Sequence, residues 1–295
     1  MKAGDILKLG FIGAGKVGTA FGAYLSQHNI SIYGYYSSKL EASEEAVLLT
    51  KSRVVTAIKE LALASDILFI TTPDSEIEDV CLLLVSEKLL RKGQVLVHMS
   101  GALSSQVLSK AKEQGCLTYS LHPLQAFADI TKAIEDLKTT VFSIESDGDN
   151  FDVIKELLDK THNKYFTLKS SQKEIYHAAA CAVSNYLVTL IDYGLDLFDS
   201  IGIDKSLGFE ALYPLINGTI DNIYKLGAAK ALTGPIVRGD SITIKRHLEA
   251  LNSQVPDNVE LYRYLALDTL DLAQKNSLKD EGKIQELKKI LKEGI

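Results

Sequence analysis

The chain has 295 residues, of which 46% are hydrophobic and 24% are charged, a composition typical of folded globular proteins and not of disordered or fibrous ones. The net charge is −6 and the basic residues are scattered, which argues against nucleic acid or an anionic membrane as a partner. Chains of this length usually form about two domains, so we expect a two-domain protein with a substantial apolar core.

The three cysteines stand far apart, with no Cys-x-x-Cys pair and no histidine cluster at ligand spacing. The sequence therefore predicts neither a disulfide framework nor a metal site. No apolar run approaches the roughly 20 residues that are needed to span a bilayer. We expect a protein that is neither exported nor membrane-spanning and that resides in the reducing cytoplasm.

Short apolar runs alternate with helical stretches through the first half of the chain. The first run, residues 8–12, ends at Gly13, and a helix is predicted over residues 16–27. Further strands are predicted at residues 31–35, 53–55, 66–71, 94–98, 117–121, 140–144 and 164–168. Such alternation indicates a mainly parallel sheet with helices on both faces. We place the domain boundary near residue 168, which gives domains of residues 1–168 and 169–295.

The remainder of the chain predicts only helices. Residues 171–200 contain almost no helix breakers, so one long helix is predicted there. This helix is apolar on most sides, which indicates burial by more than one neighbour, and we expect a subunit interface to cover it. Residues 279–293 predict a last helix with an apolar stripe and a solvated, charged face. The second domain is therefore predicted to be all-α.

The strongest motif is a G-x-G-x-x-G sequence that directly follows the first strand and opens the first helix. In a dinucleotide-binding fold its glycines permit a tight turn, close approach of the backbone to a pyrophosphate, and packing of the helix on the strand. The amides at the helix N-terminus then face the phosphate charge. The predicted cofactor-binding residues of this loop are Gly13, Gly15, Lys16, Val17 and Gly18. A glycine turn without a ligand is the alternative interpretation.

The end of the second strand indicates which dinucleotide binds, because an acidic residue there bonds the ribose of NAD, whereas cationic and hydroxyl groups accommodate the 2′-phosphate of NADP. This chain has Ser37, Ser38 and Lys39 at that place and no carboxylate. We therefore predict NADP, with NAD less favoured. The alternative is that these residues only cap the helix that follows.

Further candidates follow the next strands, at the edge of the sheet where ligands bind in open α/β folds. Thr72 and Pro73 follow the fourth strand and are predicted to border the nicotinamide side of the crevice. Ser100 follows the fifth strand and is a further predicted cofactor contact. His98 and His122 are candidates for the wall of the active site, or else hydrogen-bonded structural groups.

The predicted long helix carries a polar face formed by Lys173, His177 and Ser184, with Asn185 about 80° from His177. Buried polar groups need partners, so this face is expected to look onto a cavity, a ligand or other polar groups. Partial desolvation would lower the pKa of Lys173 towards neutrality, which suits a proton donor. The alternatives are a set of interhelical hydrogen bonds and a Lys173 that is exposed in the first turn.

The last candidate is the loop at residues 233–243, which contains Gly-Pro and Arg-Gly-Asp. Arg238 could hold a substrate carboxylate in a bidentate pair. Asp240 or Ser241 is placed to cap the next helix, and Asp240 could instead orient Arg238. A purely structural loop is the alternative to a catalytic one.

With these motifs placed, the chain resembles a group of dehydrogenases in which a Rossmann domain precedes a helical domain, such as pyrroline-5-carboxylate reductase and the 3-hydroxyacid dehydrogenases. Its helical part is similar to the C-terminal domain of 6-phosphogluconate dehydrogenase. More closely, the chain resembles Rossmann-like proteins whose C-terminal domain is one of unknown function. The segments that carry the resemblance are residues 9–18, 37–38, 98–105, 122–127, 176–187 and 232–243.

The likeness to pyrroline-5-carboxylate reductase implies an NADP-preferring imine reductase that dimerises through its helical domain. The Ser-Pro-Gly-Gly-Thr-Thr loop of that enzyme is replaced here by residues 233–243, whose core is Gly-Pro-Ile-Val-Arg-Gly-Asp, and this argues against proline biosynthesis. The hydroxyacid dehydrogenases carry a catalytic Lys with an Asn four residues later. Lys173 matches the Lys, whereas His177 stands in place of the Asn.

The sequence thus predicts an α/β protein, with an N-terminal Rossmann dinucleotide-binding domain and an all-α C-terminal domain. The leading hypothesis is an NADP-dependent oxidoreductase that transfers hydride to or from a small anionic carbonyl, hydroxyl or imine substrate bound between the domains. Lys173 or His177 would donate the proton, Asn185 would position the substrate and Arg238 would hold its anionic group. The second hypothesis is a homodimeric NADP-binding sensor or scaffold without turnover.

Overall fold

The computed structural model describes residues 7–148 and 150–293 of the chain. The chain divides into two compact units after Ser184. The first unit contains the sheet and the second, which begins at Asn185, is helical. The helix that follows residue 168 therefore groups with the sheet.

The first unit is built on one sheet whose strands alternate with helices along the chain, as the apolar runs predict. The strands are β1 (Leu9–Ile12), β2 (Ile32–Tyr36), β3 (Arg53–Val54), β4 (Ile67–Ile70), β5 (Val95–His98), β6 (Leu117–Pro123), β7 (Phe142–Glu145) and β8 (Tyr165–Leu168). The helices are α1 (Lys16–Gln27), α2 (Leu40–Thr50), α3 (Ile58–Ala64), α4 (Asp74–Ser86), α5 (Ser109–Glu113), α6 (Ile130–Asp136), α7 (Asp152–Lys160) and α8 (Lys173–Val183).

The strand order is β3-β2-β1-β4-β5-β6-β7-β8, and every neighbouring pair is parallel except β6 and β7. The first six strands have the order of the doubly wound dinucleotide-binding fold, so the predicted fold class is confirmed. Strands β2 and β3 lie on one side of β1 and strands β4 to β6 on the other, so the strand order switches between β1 and β4. Ligands of such sheets bind in the crevice outside the carboxyl ends of the strands at this point.

Two apolar clusters cover the two faces of the sheet, because successive side chains of a strand point in opposite directions. Phe11 of β1 and Phe69 of β4 lie in one cluster, with their ring centroids 4.9 Å apart. Ile12 and Ile70, the next residues along, lie in the other cluster. The central strands are thus buried on both sides, as is usual for a parallel sheet with helices on each face.

The predicted long helix over residues 171–200 is divided in the structure, which corrects that prediction. A short 3₁₀ turn at Ser170–Gln172 leads into α8, and the helix is interrupted at Ser184 before it resumes as α9 at Asn185. The backbone angles of Ser184, φ −112° and ψ −70°, are far from those of a regular helix. Ser is also a weaker helix former than the Ala and Leu residues around it.

The second unit is made of helices and short 3₁₀ turns over the residues that the structure describes. The helices are α9 (Asn185–Asp199), α10 (Lys205–Leu226), α11 (Ala228–Ala231), α12 (Pro235–Arg238), α13 (Ser241–Gln254), α14 (Val259–Asn276) and α15 (Glu281–Glu293). Its core is formed mainly by α12 to α15 and includes Ile244, Leu248, Leu270 and Leu287. The apolar stripe predicted for the last helix packs into this core.

Helices α9 and α10 leave many large apolar side chains uncovered in the single chain. Those exposed by more than 40% include Tyr186, Val188, Leu190, Leu207, Phe209, Tyr213, Leu215, Ile220, Ile223, Tyr224 and Leu226. The stretch Ser170–Asp199 is long and apolar enough to cross a bilayer by length and composition alone. Its first half carries Lys173, whose ammonium is hydrogen-bonded inside the first unit, so α8 is a component of the folded α/β unit.

Candidate functional site

The glycine loop lies at the switch point of the sheet, between the ends of β1 and β4. Gly13 adopts φ +101°, and a Cβ atom there would lie 2.7 Å from the carbonyl carbon of Thr71. A Cβ at Gly18 would lie 2.3 Å from the Thr71 hydroxyl, which itself donates to the Gly13 carbonyl at 2.7 Å. The first and third glycines are therefore required by the contact between the loop and the strand beside it.

Gly15 has a different environment from the other two glycines of the motif. Its backbone is extended, and no described atom lies within 4 Å of the position that a Cβ would occupy. It immediately precedes α1, whose first turn receives no hydrogen bond from a capping side chain in the described part of the chain. This leaves open space in front of a helix N-terminus, which is the arrangement that accepts a pyrophosphate. Lys16 and Val17 follow in the first turn, and the Lys16 ammonium donates to the Ala128 carbonyl at 2.5 Å.

The turn after β2 is held by a hydrogen bond from one of its backbone amides to one of its side chains. The Ser37 hydroxyl accepts a hydrogen bond from the Lys39 amide at 3.2 Å, while Ser38 and Lys39 are exposed. Lys39 occupies the N-cap position of α2, and neither serine accepts an amide of that helix in the described hydrogen bonds. The interpretation that these serines only cap α2 is therefore not supported by the contacts. Hydroxyl and ammonium groups remain available to an anion at this place.

A pocket beside the glycine loop collects the residues that follow β4 and β5. It is lined by Val17, Ile70, Thr71, Thr72, Asp74, Met99 and Ser100. The Thr72 hydroxyl is buried and has no hydrogen-bond partner among the described residues, so it lacks the partner that a buried polar group normally has. The Ser100 hydroxyl donates to the Asp74 carboxylate at 2.7 Å. It also accepts hydrogen bonds from the backbone amides of Ala102 and Leu103. Pro73 precedes α4 at its N-cap position.

Lys173 is buried at the start of α8, with a relative exposure of 1%. Its ammonium donates to the Ser100 carbonyl at 3.0 Å and to the Ser120 hydroxyl at 2.9 Å. Burial lowers the pKa of Lys173 to about 8, and the nearby carboxylates of Glu145 and Asp74 oppose this shift. The alternative that Lys173 is an exposed first-turn residue is therefore wrong. The side chain is a buried ammonium that can release a proton near neutral pH.

His177 lies one turn along α8 and approaches the same loop. A Cβ on Gly101 would lie 2.6 Å from His177 Nδ1 and 2.8 Å from His122 Nε2, so the glycine is what lets both imidazoles reach the loop. His177 Nδ1 is buried without a hydrogen-bond partner among the described residues, and its Nε2 lies 3.5 Å from the Cys181 sulfur. Two imidazole nitrogens thus converge on one backbone position beside Ser100.

The two histidines at the strand ends have different environments. His98 is fully buried, its Nδ1 accepts the Ser100 amide and its Nε2 lies 3.2 Å from the Ser104 carbonyl, so the proton is on Nε2. Burial lowers the pKa of His98 to about 3, which makes it a neutral structural group. Burial, followed by the charge of Lys173, also lowers the pKa of His122 to about 3, and its Nδ1 shares a 2.7 Å hydrogen bond with the Tyr176 hydroxyl.

Two predicted site residues belong to the second unit. Asn185 is exposed at the start of α9. Arg238 is exposed at the end of α12, where its carbonyl accepts the Lys283 ammonium. Asp240 accepts hydrogen bonds from the amide and the hydroxyl of Thr243 and is the N-cap of α13. These contacts favour the predicted capping role of Asp240 over the orientation of Arg238. The roles of Asn185 and Arg238 stay predictions.

Several residues of the site carry no recognisable sequence signal. Asp74 belongs to a Pro-Asp pair, which is as typical of a plain turn as of a ligand-binding strand end. Ser120 is an ordinary strand residue. Glu145 is the exception, because a carboxylate at the end of an apolar strand is unusual and could have been noticed in the sequence. Among the described residues, no group of three or more His, Cys, Asp and Glu side chains is arranged to hold a metal ion.

Two family models match the chain and together span most of its length. Residues 3–123 match a Rossmann-like domain, and residues 140–269 match a domain of unknown function, DUF2520. No match to the chain is found among curated proteins. The first match ends with β6, and the second begins at residue 140, just before β7, includes α8 and extends into the second unit.

Solved structures share this fold over nearly their whole length. The Thermotoga maritima protein TM1727 is 26% identical with a TM-score of 0.70, and the match covers 90% of this chain and 98% of that one. A candidate NADP oxidoreductase from Bacteroides fragilis is 21% identical with a TM-score of 0.69, with the same coverage of 90% and 98%. Pyrroline carboxylate reductase from Plasmodium falciparum, with NADP bound, is 17% identical with a TM-score of 0.55, covering 92% and 98%.

Proposed function

The chain joins a Rossmann-like domain to the domain of unknown function DUF2520, and from this premise and the geometry of the first unit we infer that it is an NADP-dependent oxidoreductase. One observation carries the proposal: Ser100 links the pocket beside the glycine loop to a buried lysine. Ser100 lines that pocket together with Val17, and its carbonyl accepts a hydrogen bond from the Lys173 ammonium. The proposed dinucleotide site and the proposed proton donor therefore belong to one compact unit.

The residues of the first unit fit NADP. The open space at Gly15 and the uncapped N-terminus of α1 suit the pyrophosphate. Ser37, Ser38 and Lys39 would hold the 2′-phosphate, and the absence of a carboxylate from this turn favours NADP over NAD. Thr72, whose buried hydroxyl has no hydrogen-bond partner among the described residues, lines the pocket where the nicotinamide would sit. When bound, the cofactor supplies or accepts a hydride.

Reduction of a carbonyl or an imine also requires a proton for the oxygen or nitrogen, and Lys173 is the first candidate donor. An ammonium has three hydrogens, and Lys173 uses two of them on Ser100 and Ser120. With a pKa near 8 it is charged at neutral pH and gives up its proton readily. His177 is the second candidate, because its buried Nδ1 has no partner in the described part of the chain.

The finer features of the proposal concern the substrate and the assembly. We propose a small anionic carbonyl, hydroxyl or imine compound as the substrate, with Asn185 as a positioning group and Arg238 as the anion clamp. We also propose a homodimer, because the exposed apolar side chains of α9 and α10 form a larger apolar surface than a monomer normally leaves in water. All three cysteines are free thiols, which favours a reducing cytoplasm.

The first experiment is a calorimetric titration with NADPH and NADH side by side, since the chain has no Trp for a fluorescence assay. We expect NADPH to bind at least about tenfold more tightly, a difference of roughly 1.4 kcal/mol. If neither dinucleotide binds, the proposed function is wrong. Tight NADPH binding without turnover of any oxo acid, imine or hydroxy acid in a panel would favour a sensor or scaffold instead.

Once a substrate is found, single variants identify the proton donor. We expect Lys173→Ala or His177→Ala to lower kcat by about 10² or more, as is usual when a general acid is removed. Lys138→Ala is a matched control, since Lys138 is an exposed lysine of the same unit. If both variants keep turnover within about threefold of the wild type, neither residue is the donor.

A further inference from the structure

Glu145 is a fully buried carboxylate at the end of β7 and is not one of the residues assigned a role in the proposed reaction. It accepts three hydrogen bonds: from the Ser105 amide at 2.5 Å, from the Ser105 hydroxyl at 2.9 Å and from the Ser170 hydroxyl at 2.6 Å. Charge-assisted bonds of this kind are about twice as strong as neutral ones. The three donors therefore hold the carboxylate in a fixed position between the segments that carry them.

The two serines lie on the two segments that hold Lys173. Ser105 ends the loop that runs from β5 through Ser100, whose carbonyl accepts the Lys173 ammonium. Ser170 begins the 3₁₀ turn that leads directly into α8, three residues before Lys173. Glu145 thus connects the acceptor of the ammonium to the helix that carries it.

The charged groups around the Lys173 ammonium favour its protonated form. Glu145 on β7 and Asp74 on α4 are the carboxylates whose charge favours protonated Lys173. His98 on β5 and His122 on β6 also face it, and both are neutral because their pKa values are lowered. On α8 itself, the Tyr176 ring lies 5.5 Å from the ammonium and His177 lies one turn away. The nearby negative charge therefore comes from two carboxylates, of which Glu145 is fully buried.

We propose that Glu145 is a positioning residue for Lys173: its carboxylate fixes both the Ser100 loop and the turn before α8, and its negative charge keeps the buried lysine an ammonium. The inference rests on the proposed function in one respect only, namely that a charged Lys173 serves as the proton donor. The geometric and electrostatic parts stand on the contacts of the first unit alone.

The test is the titration of Lys173 followed by NMR in protein labelled with ¹³C at lysine Cε, with the signal assigned by its loss in Lys173→Gln. We expect Glu145→Gln to lower the titration midpoint of Lys173 by one pH unit or more, a tenfold change in its acid constant. Glu113→Gln is the matched control, because Glu113 is an exposed glutamate that pairs with Lys110 on the surface, and it should leave the midpoint unchanged. A midpoint in Glu145→Gln within 0.3 pH units of the wild type would overturn the proposal.

A second variant keeps the proposal testable if Glu145→Gln does not fold. Ser170→Ala removes one donor and retains the charge, so we expect faster hydrogen–deuterium exchange in peptides covering residues 98–108 and 170–177, with a midpoint close to that of the wild type. Unchanged exchange in both peptides would show that the carboxylate does not position these segments.

The outcome for Glu145 is separable from the outcome for the proposed function. Failure of NADPH to bind would remove the proposed function and leave the NMR result standing. If turnover is found, the alkaline limb of the pH profile for substrate reduction should move to lower pH in Glu145→Gln by the same amount as the NMR midpoint. A purely structural role would lower the rate at every pH and leave this limb in place.

Discussion

Gly13 and Gly15 stand two residues apart in the loop after β1, but an added methyl group would have different consequences at the two positions. Gly13 adopts a left-handed backbone and touches the Thr71 backbone, whereas Gly15 is extended and faces open space. One glycine is thus required by the fold and the other by the proposed ligand. The sequence motif alone does not separate these two requirements.

The first prediction uses this difference. Gly13→Ala should lower the free energy of unfolding by about 2 kcal/mol or more, because it combines an unfavourable φ with a steric clash. Gly15→Ala should leave the melting temperature nearly unchanged and weaken NADPH binding at least about tenfold, because the methyl group would occupy the space of the pyrophosphate. Thermal melts and calorimetry measure the two effects. Unaltered NADPH affinity in Gly15→Ala would contradict the proposed phosphate site.

The second prediction concerns the pH dependence of stability at Lys173. Its pKa is about 8 in the folded protein and about 10.5 in the unfolded chain, so the folded state releases this proton first as the pH rises. Below pH 8 both states are protonated and burial of the charge destabilises the fold, and between pH 8 and 10.5 the folded state gains stability. The gain is on the order of 3 kcal/mol.

Lys173→Met lacks this group and provides the comparison. The free energy of unfolding of the wild type minus that of Lys173→Met should rise between pH 7.5 and pH 10, measured by denaturant titration at each pH. Lys138→Met, at an exposed position, should show a constant difference from the wild type over the same range. A constant difference for Lys173→Met as well would mean that Lys173 titrates normally.

At the scale of single elements, side-chain contacts decide where helices begin and end. Asp240 begins α13 by accepting the Thr243 amide, and this bond is the first cause of its lowered pKa. Ser184 divides α8 from α9, although the good helix formers Ala182 and Leu187 lie close by on either side. The first of these boundaries is visible as a capping signal in the sequence, and the second is not.

The third prediction follows from the cap of α13. Asp240→Ala should lower the melting temperature, whereas Asp240→Asn should retain most of it, because Asn is an equally good capping residue. Both variants should bind NADPH like the wild type, since Asp240 lies outside the glycine loop. Circular dichroism melts measure the effect. An equal loss in the two variants would mean that the charge of Asp240, and not its capping bond, stabilises the second unit.

For the whole molecule, the uncovered helices of the second unit are the main unexplained feature of the single chain. Val188 on α9 and Leu215 on α10 are 68% and 66% exposed, and they are two of many large apolar residues on these helices. A surface of this kind is costly in water unless another molecule covers it. A second copy of the chain is the proposed cover.

The fourth prediction tests the dimer by light scattering at micromolar concentration. The wild type should have the mass of a dimer, and Val188→Glu together with Leu215→Glu should shift it towards the monomer. Leu48→Glu is the control, because Leu48 is 80% exposed on α2 in the first unit and should not affect the mass. A strictly monomeric wild type would refute the proposed assembly.

Much of the fold was predictable because its signals are local. Each strand prediction overlaps its observed strand, and the resemblance to Rossmann-like proteins with a C-terminal domain of unknown function is confirmed by the two family models. The antiparallel pairing of β7 was not predictable, since an apolar run carries no information about its direction relative to a neighbour. The break at Ser184 was also missed, because its backbone conformation has no side-chain signature.

The strands, the helices, their alternation and the glycine loop follow from the sequence, because strand and helix periods and glycine conformations depend on residues that are close in the chain. The burial of Lys173 and the identity of the groups around it depend on the tertiary fold. Ser100, Ser120 and Glu145 are separated from Lys173 by 28 to 73 residues, and the sheet brings them together. The chemistry of the site depends on burial and on the charges packed around one ammonium, and neither can be read from spacing along the chain.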